Sequence, residues 1–131
     1  MDIKTLLKEA KVIAVVGLSD KSERPSFDVA SYLKGKGYII IPVNPNIKEW
    51  KGIAAYPSLL AIPPSIKIDI VDIFRKSEDV PPIVEDAIRI KAKTVWMQLG
   101  IANPEAAGRA RKAGLNVVMD RCMKIEHMRL G

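Results

Sequence analysis

Val12-Ile13-Ala14-Val15-Val16 offers water no polar residue on either face and stops at Gly17. A run so short and so uniformly apolar is the pattern of a strand covered by protein on both sides. It recurs along the chain. Tyr38–Val43 predicts a second strand, Ile66–Phe74 a third, Thr94–Leu99 a fourth and Asn116–Met119 a fifth. Helical signals lie between them. Pro25–Lys34 carries Pro and Ser26 near its start and is stopped by Gly35 and Gly37. Behind Ser77-Glu78-Asp79, the residues Val80, Ile83, Val84, Ala87 and Ile88 recur at the 3.6-residue period, and Pro104–Ala113 reads as another helix. A short helix is expected over Ile3–Ala10. The proline-bearing stretch from Gly52 to Pro64 is expected to be irregular, and Cys122–Gly131 shows no clear pattern.

Strands without a polar face, alternating with helices, predict an α/β fold: a parallel sheet of about five strands with helices on both faces. With 131 residues, 48% apolar and 27% charged, the chain has the make-up of one folded domain over residues 1–131. One cysteine, Cys122, precludes an intramolecular disulfide, and with only His127 beside it a Cys/His metal site lacks ligands. The first residues carry no signal-peptide core. Val12–Val16 falls far short of the ~20 residues that span a bilayer, so no membrane partner and a cytoplasmic setting are expected. The net charge of +6 permits an anionic partner. Its cations are scattered among acids with no aromatic residues interleaved, which argues against nucleic acid.

In sheets of this kind ligands bind outside the carboxyl ends of the strands, where the strand order reverses. After the first strand, Gly17 permits a sharp turn. Ser19, Ser26 and Arg24 then surround a helix start whose unpaired amides favour an anion. The same residues also fit a plain helix start, with Ser26 as its cap and Arg24 in solvent. The loop is not Gly-x-Gly-x-x-Gly, since Ser19 and Ser22 replace the later glycines. Asn44-Pro45 stands where a nicotinamide enzyme wants an acid for its ribose, which weakens a plain NAD reading. Further strand ends bring Phe74 and Arg75, then Gln98 and Gly100, then Asp120-Arg121-Cys122.

Val16-Gly17-Leu18-Ser19 with Arg24-Pro25-Ser26, Pro42-Val43-Asn44-Pro45-Asn46, Asp72-Ile73-Phe74-Arg75, Trp96-Met97-Gln98-Leu99-Gly100 and Val118-Met119-Asp120-Arg121-Cys122 follow one another in order. Together they resemble the small CoA-binding domain proteins, stand-alone relatives of the CoA-binding domain of succinyl-CoA synthetase. The resemblance implies a Rossmann-like, doubly wound sheet and coenzyme A, or an acyl-CoA, as ligand. It implies that Gly17, Ser19, Arg24 and Ser26 hold phosphates, that Asn44 and Pro45 border the adenosine with Phe74 and Arg75, and that Leu18, Val43 and Gly100 belong to the same binding site. Met97 and Gln98 would follow the pantetheine arm. The synthetase's phosphorylated histidine has no counterpart beyond His127 in the tail, so ligase activity is not carried over.

No paired acid and base for catalysis emerges, because Asp69 and Asp72, three apart on a strand, face opposite ways. The expectation is a CoA-binding module rather than an enzyme: a carrier, a sensor or the accessory of a CoA-using enzyme. Two alternatives stand beside it. Arg24, Arg75 or Lys76 could grip the 2′-phosphate of NADP in an oxidoreductase component. Cys122, near Arg121 and Lys124, could form a mixed disulfide with CoA in a thiol-dependent enzyme. A lone cysteine is also commonly just a small buried apolar residue.

Overall fold

Asp2 opens the first helix by accepting a hydrogen bond from the Thr5 amide at 2.8 Å, and α1 runs Ile3–Glu9. In the computed structural model, which describes residues 1–130, it is followed by β1 (Val12–Val16), α2 (Pro25–Gly35) and β2 (Ile39–Val43). Then come β3 (Glu49–Trp50), β4 (Ile53–Ala54), β5 (Ile70–Ile73), α3 (Val80–Arg89), β6 (Thr94–Met97), α4 (Pro104–Lys112), β7 (Asn116–Val118) and α5 (Met123–Met128). Five strands form one parallel sheet in the order β2-β1-β5-β6-β7. The parallel α/β sheet expected from the apolar runs is therefore present. Pro42 lacks the N–H a central strand needs, and it lies in β2, an edge strand.

Alternation along each strand feeds two cores. Ala14 and Val16 face one way and join Val71, Ile73, Val95 and Met97 beneath α3 and α4. Ile13 and Val15 face the other way, with Ile40, Ile70 and Trp96, against Leu7 of α1, Val29 and Leu33 of α2 and Met123 of α5. Each fully buried Leu or Ile contributes on the order of 1.5–3 kcal/mol, so this two-sided burial carries the fold. The exposed Arg109–Glu85 pair at 3.0 Å adds at most about 1 kcal/mol.

Three expectations need correction. The third strand was expected from Ile66, but regular pairing covers only Ile70–Ile73. Pro63 accepts from the Ile66 amide in a turn, and the chain joins the sheet only where the Asp69 amide reaches the Val12 carbonyl at 3.0 Å. Within the stretch expected to be irregular, β3 and β4 form an antiparallel hairpin. Lys51 and Gly52 turn it with φ of 49° and 78°. Two-residue strands leave no periodicity to read. Trp50 is buried edge-on against Phe27 of α2, centroids 5.8 Å apart, with the Lys51 ammonium over both rings.

The tail, patternless in sequence, forms α5. Six residues are too few to hold a helix by propensity, and tertiary contacts hold it instead. Met123 is buried, Lys124 reaches Asp28 of α2 at 2.9 Å, and His127 Nδ1 meets the Tyr32 hydroxyl at 2.8 Å. Burial, and then the nearby Lys36 ammonium, hold the His127 imidazole below its ordinary pKa.

Candidate functional site

The chain leaves β1 for β2 on one side and returns to β5 on the other, so strand order reverses between β1 and β5. At that point Gly17 has φ of +88° and its amide donates to the Val43 carbonyl at 2.8 Å. A Cβ there would lie 2.5 Å from the Phe74 carbonyl oxygen. Only glycine lets the loop after β1 close against the loop after β5.

Beyond Gly17 the chain folds onto the start of α2. Ser26 is buried and its Oγ accepts from the Ser19 amide at 3.0 Å, while Ser19 Oγ accepts from the Lys21 amide at 3.1 Å. Ser26 is thus a latch for the loop, not the helix cap. The cap position belongs to Arg24, whose side chain caps nothing, and Pro25 follows it. The Ser26 and Phe27 amides have no intrahelical acceptor there, and they add to the positive end of the helix dipole.

These elements enclose a polar cavity of about 550 Å³ at the α2 start. Lys21, Arg24 and Arg75 bring three cations to it against one acid, Asp20, and Asn44, Asn46 and Phe74 complete much of its wall. A second cavity of about 350 Å³ adjoins it, sharing Gly17, Asn46 and Arg75. Its walls are apolar, from Val16, Val43, Pro45, Leu59 and Ile83, but Glu78, Asp79 and Asp86 also line it. Arg75 stands between the two. Its guanidinium is 4.0 Å from the Asp79 carboxylate with both side chains nearly half exposed, a loose pair from which it can turn to another anion.

Of the residues singled out from sequence, the structure brings Gly17, Ser19, Arg24, Ser26, Asn44, Phe74 and Arg75 around the polar cavity, and Val43 and Pro45 around the apolar one. Asn44 is a tie between loops. Its Nδ2 donates to the Leu18 carbonyl at 3.0 Å and its Oδ1 accepts from the Asn46 amide at 2.9 Å.

Leu18 turns its side chain into the core beneath α2 and lines neither cavity. Met97 is buried under α3 and α4, and Gln98 is buried with Oε1 accepting from the Met123 amide at 3.1 Å. Gly100, at φ +85°, donates to Asp120 Oδ1 at 2.6 Å, joining the loops after β6 and β7. Cys122 is half-buried at the start of α5 and, like Met97, Gln98 and Gly100, is not in the wall of either cavity.

Sequence reasoning left out Lys21 and the acids of the apolar cavity. A cation in the loop after β1 was available as a signal. Asp79, Pro82, Ile83 and Asp86 follow the 3–4 residue spacing of one helix face, also readable in advance. Leu59 and Pro57 arrive through a crossing segment that no periodicity marks.

Asp69 and Asp72 are indeed far from forming a pair. Asp69, at the amino end of β5, accepts from the Lys11 and Val12 amides at 2.8 and 2.9 Å and lies 3.4 Å from Lys93. Burial pulls its carboxyl upward, but the two amides and the ammonium prevail and leave it below the ordinary carboxylate value. Asp72 is fully buried between Val15 and Trp96 with no hydrogen-bond partner for either oxygen, and burial raises its carboxyl well above that value.

The architecture is thus a parallel α/β sheet with a cation-rich cavity at the start of α2, set where the strand order reverses. The chain belongs to the CoA-binding domain family, whose model matches residues 11–128. It is 43% identical over 126 residues, covering 96% of this chain and 92% of its relative, to the uncharacterized protein YneT of Bacillus subtilis (strain 168). A hypothetical protein from Pyrococcus horikoshii OT3 has a solved structure that matches with a TM-score of 0.94 at 46% identity, over 98% of this chain and 89% of that one. The chain is also 36% identical over 63 residues to acetate–CoA ligase [ADP-forming] II of Archaeoglobus fulgidus, covering 47% of this chain but 9% of the ligase. No helix among the described residues is long and apolar enough to cross a membrane.

Proposed function

We propose that this chain binds coenzyme A or an acyl-CoA in the paired cavities between β1 and β5, as a carrier, a sensor or the accessory of a CoA-using enzyme. One observation carries the reading: a polar cavity with three cations, at a helix start that no side chain caps, adjoins an apolar cavity through the shared residues Gly17, Asn46 and Arg75. A ligand that is polyanionic in the middle and flat and apolar at one end fits that pair. The phosphates sit at the start of α2, held by Lys21, Arg24 and Arg75 with the Ser26 and Phe27 amides. The base fills the apolar cavity, where Glu78, Asp79 and Asp86 accept from an exocyclic amine and repel phosphate. Family membership and the partial match to a CoA ligase support the choice of CoA over other nucleotides. A cytoplasmic setting, where CoA is at hand and a lone thiol stays reduced, goes with this reading.

Calorimetric titration tests it. CoA should bind the intact chain, and Arg24→Ala should weaken binding by about 1.5–3 kcal/mol, roughly ten- to a hundredfold, as for a charge-assisted bond. Excess NADPH should leave CoA binding unaltered. NADPH binding with CoA silent would replace this reading with the oxidoreductase one, and an unchanged affinity in Arg24→Ala would take the phosphates away from α2.

A further inference from the structure

The two cavities lie at the carboxyl end of the sheet. At the amino end, the segment entering β5 and the last turn of α3 enclose a third cavity, of about 260 Å³. Its walls are apolar: Leu60, Ile62, Pro64, Ile66 and Ile90 among them. Leu60 is half exposed beside it, a large apolar side chain left facing water. Three cations, Lys67, Arg89 and Lys91, line it and no carboxylate does. The ion pairs among the described residues are made by other cations: Arg75, Lys93, Arg109, Arg121, Lys124 and Arg129.

The backbone at Lys91 makes the arrangement more pointed. Lys91 follows the end of α3 with φ of +59°, while its amide donates to the Ile88 carbonyl and the Ala92 amide to the Ala87 carbonyl. Glycine is the usual residue for that left-handed position, and the matching turn after α4 uses it, Gly114 at φ +93°. After α3 the chain instead bears the strain of a lysine, which adds its charge to the cavity.

We propose that this cavity docks an extended acidic and apolar peptide segment of a partner protein. One large apolar side chain of the peptide fills the cavity, and carboxylates on either side of it meet Lys67, Arg89 and Lys91. Three cations suit several carboxylates spaced along a chain better than the single carboxylate of a fatty acid. The wall has no aromatic platform for a nucleobase. A recess bounded by a rigid Pro63-Pro64 pair receives a side chain, whereas membrane binding calls for an apolar face that protrudes. The site lies toward the amino end of the sheet, one turn of α3 beyond Asp86 of the apolar cavity, shares no lining residue with the proposed CoA cavities and stands independently of that reading.

The test is nuclear magnetic resonance of the full chain titrated with the pentapeptide acetyl-Glu-Glu-Leu-Glu-Glu-amide. Shifts should concentrate on the Leu60, Ile62, Ile66 and Ile90 methyl groups and weaken with added salt. Replacing the peptide's leucine by glycine, or its glutamates by lysines, should cost at least tenfold in affinity. The double variant Lys67→Glu/Arg89→Glu should lose the response by at least tenfold, with its circular dichroism spectrum and CoA titration unchanged. Should that variant fail to fold, Lys67→Gln alone should weaken binding about threefold. Millimolar peptide without shifts at those methyls overturns the proposal, as does equal binding of the glycine peptide. Binding of phosphatidylglycerol vesicles that depends on Lys67 and Arg89, with the peptide silent, overturns it in favour of a membrane surface.

Discussion

Replacing Gly17 by alanine sets two costs against each other in a way the structure lets one separate. At φ +88° an alanine sacrifices about 1–2 kcal/mol relative to glycine for its left-handed backbone. Its Cβ would also lie 2.5 Å from the Phe74 carbonyl oxygen and 3.0 Å from Arg75 Cδ. Carbon and oxygen normally meet no closer than about 3.3 Å, so something must move, and overpacking of that kind costs about 1–3 kcal/mol. Movement of Phe74 is resisted by the bond its amide donates to the Val16 carbonyl at 2.8 Å, so yielding to the new Cβ strains the loop after β5. The sum, about 2–5 kcal/mol, corresponds to a Tm lowered by roughly 10–20 °C in a domain of this size.

Gly52→Ala is the control. It has φ of +78° with nothing within 4 Å of a new Cβ, so it should lose only the backbone part, about 1–2 kcal/mol. The two variants should differ in binding as well. Relief of the clash displaces Phe74 and Arg75, which line the proposed phosphate cavity, so CoA affinity should fall at least tenfold in Gly17→Ala and stay unchanged in Gly52→Ala. Thermal melts and calorimetry on both variants decide the matter. Equal losses of stability with equal CoA affinity would refute the close approach at Gly17 as the constraint on this site.

Other substitutions probe Asp69, Asp72 and the thiol. Burial raises the Asp72 carboxyl well above its ordinary value, so the folded chain holds this proton more tightly than the unfolded chain. Stability therefore falls as pH rises from about 4 through the window between the unfolded and folded values, by up to about 1.4 kcal/mol per pH unit. Asp72→Asn removes that slope, and urea melts at successive pH values above about 4 should show the variant gaining on the wild type; parallel curves would mean that the carboxyl has a partner. Asp69 is shifted the other way, so its contribution is present above about pH 4 and is lost as pH falls through its lowered value. Asp69→Asn should cost about 1–3 kcal/mol at neutral pH, with the gap to wild type closing in acid, and a gap that persists at pH 2 would speak against the charge. In native mass spectrometry, CoA should leave the chain on denaturation, and equally from Cys122→Ser. An adduct that survives denaturation and is released by reductant would put Cys122 into a mixed disulfide.

Much of the architecture could be read in advance from particular residues. Val12–Val16 and Thr94–Met97 lack a polar face because helices cover both sides of the sheet, and Gly17 marks the sharp turn where the loop after β1 begins. The gathering of Arg24, Pro25 and Ser26 at the α2 start was legible in sequence, although their division of labour was not. Ser26 latches the loop and leaves the helix amides bare, a choice that depends on where Ser19 comes to rest. Met97 and Gln98 stand at a strand end in sequence, yet α3, α4 and α5 close over them, which no local pattern records.

Hydrophobic period reports which faces of an element are covered, and that information is local. It determined that this chain must form a layered α/β domain with its loops gathered at the strand ends, and the spacing of its motifs carried the likeness to CoA-binding domains. Strand order is a matter of how the crossings run, and it decided that the crevice opens between β1 and β5. Contacts between residues distant in sequence decided the rest. Trp50 against Phe27 holds a hairpin too short to show a pattern, and Met123, Lys124 and His127 hold a six-residue helix that propensity alone would leave unfolded. Whether Asp72 met a hydrogen-bond partner or none was likewise settled by packing, because the energy of a buried charge depends on what surrounds it in space and not on what adjoins it in the chain.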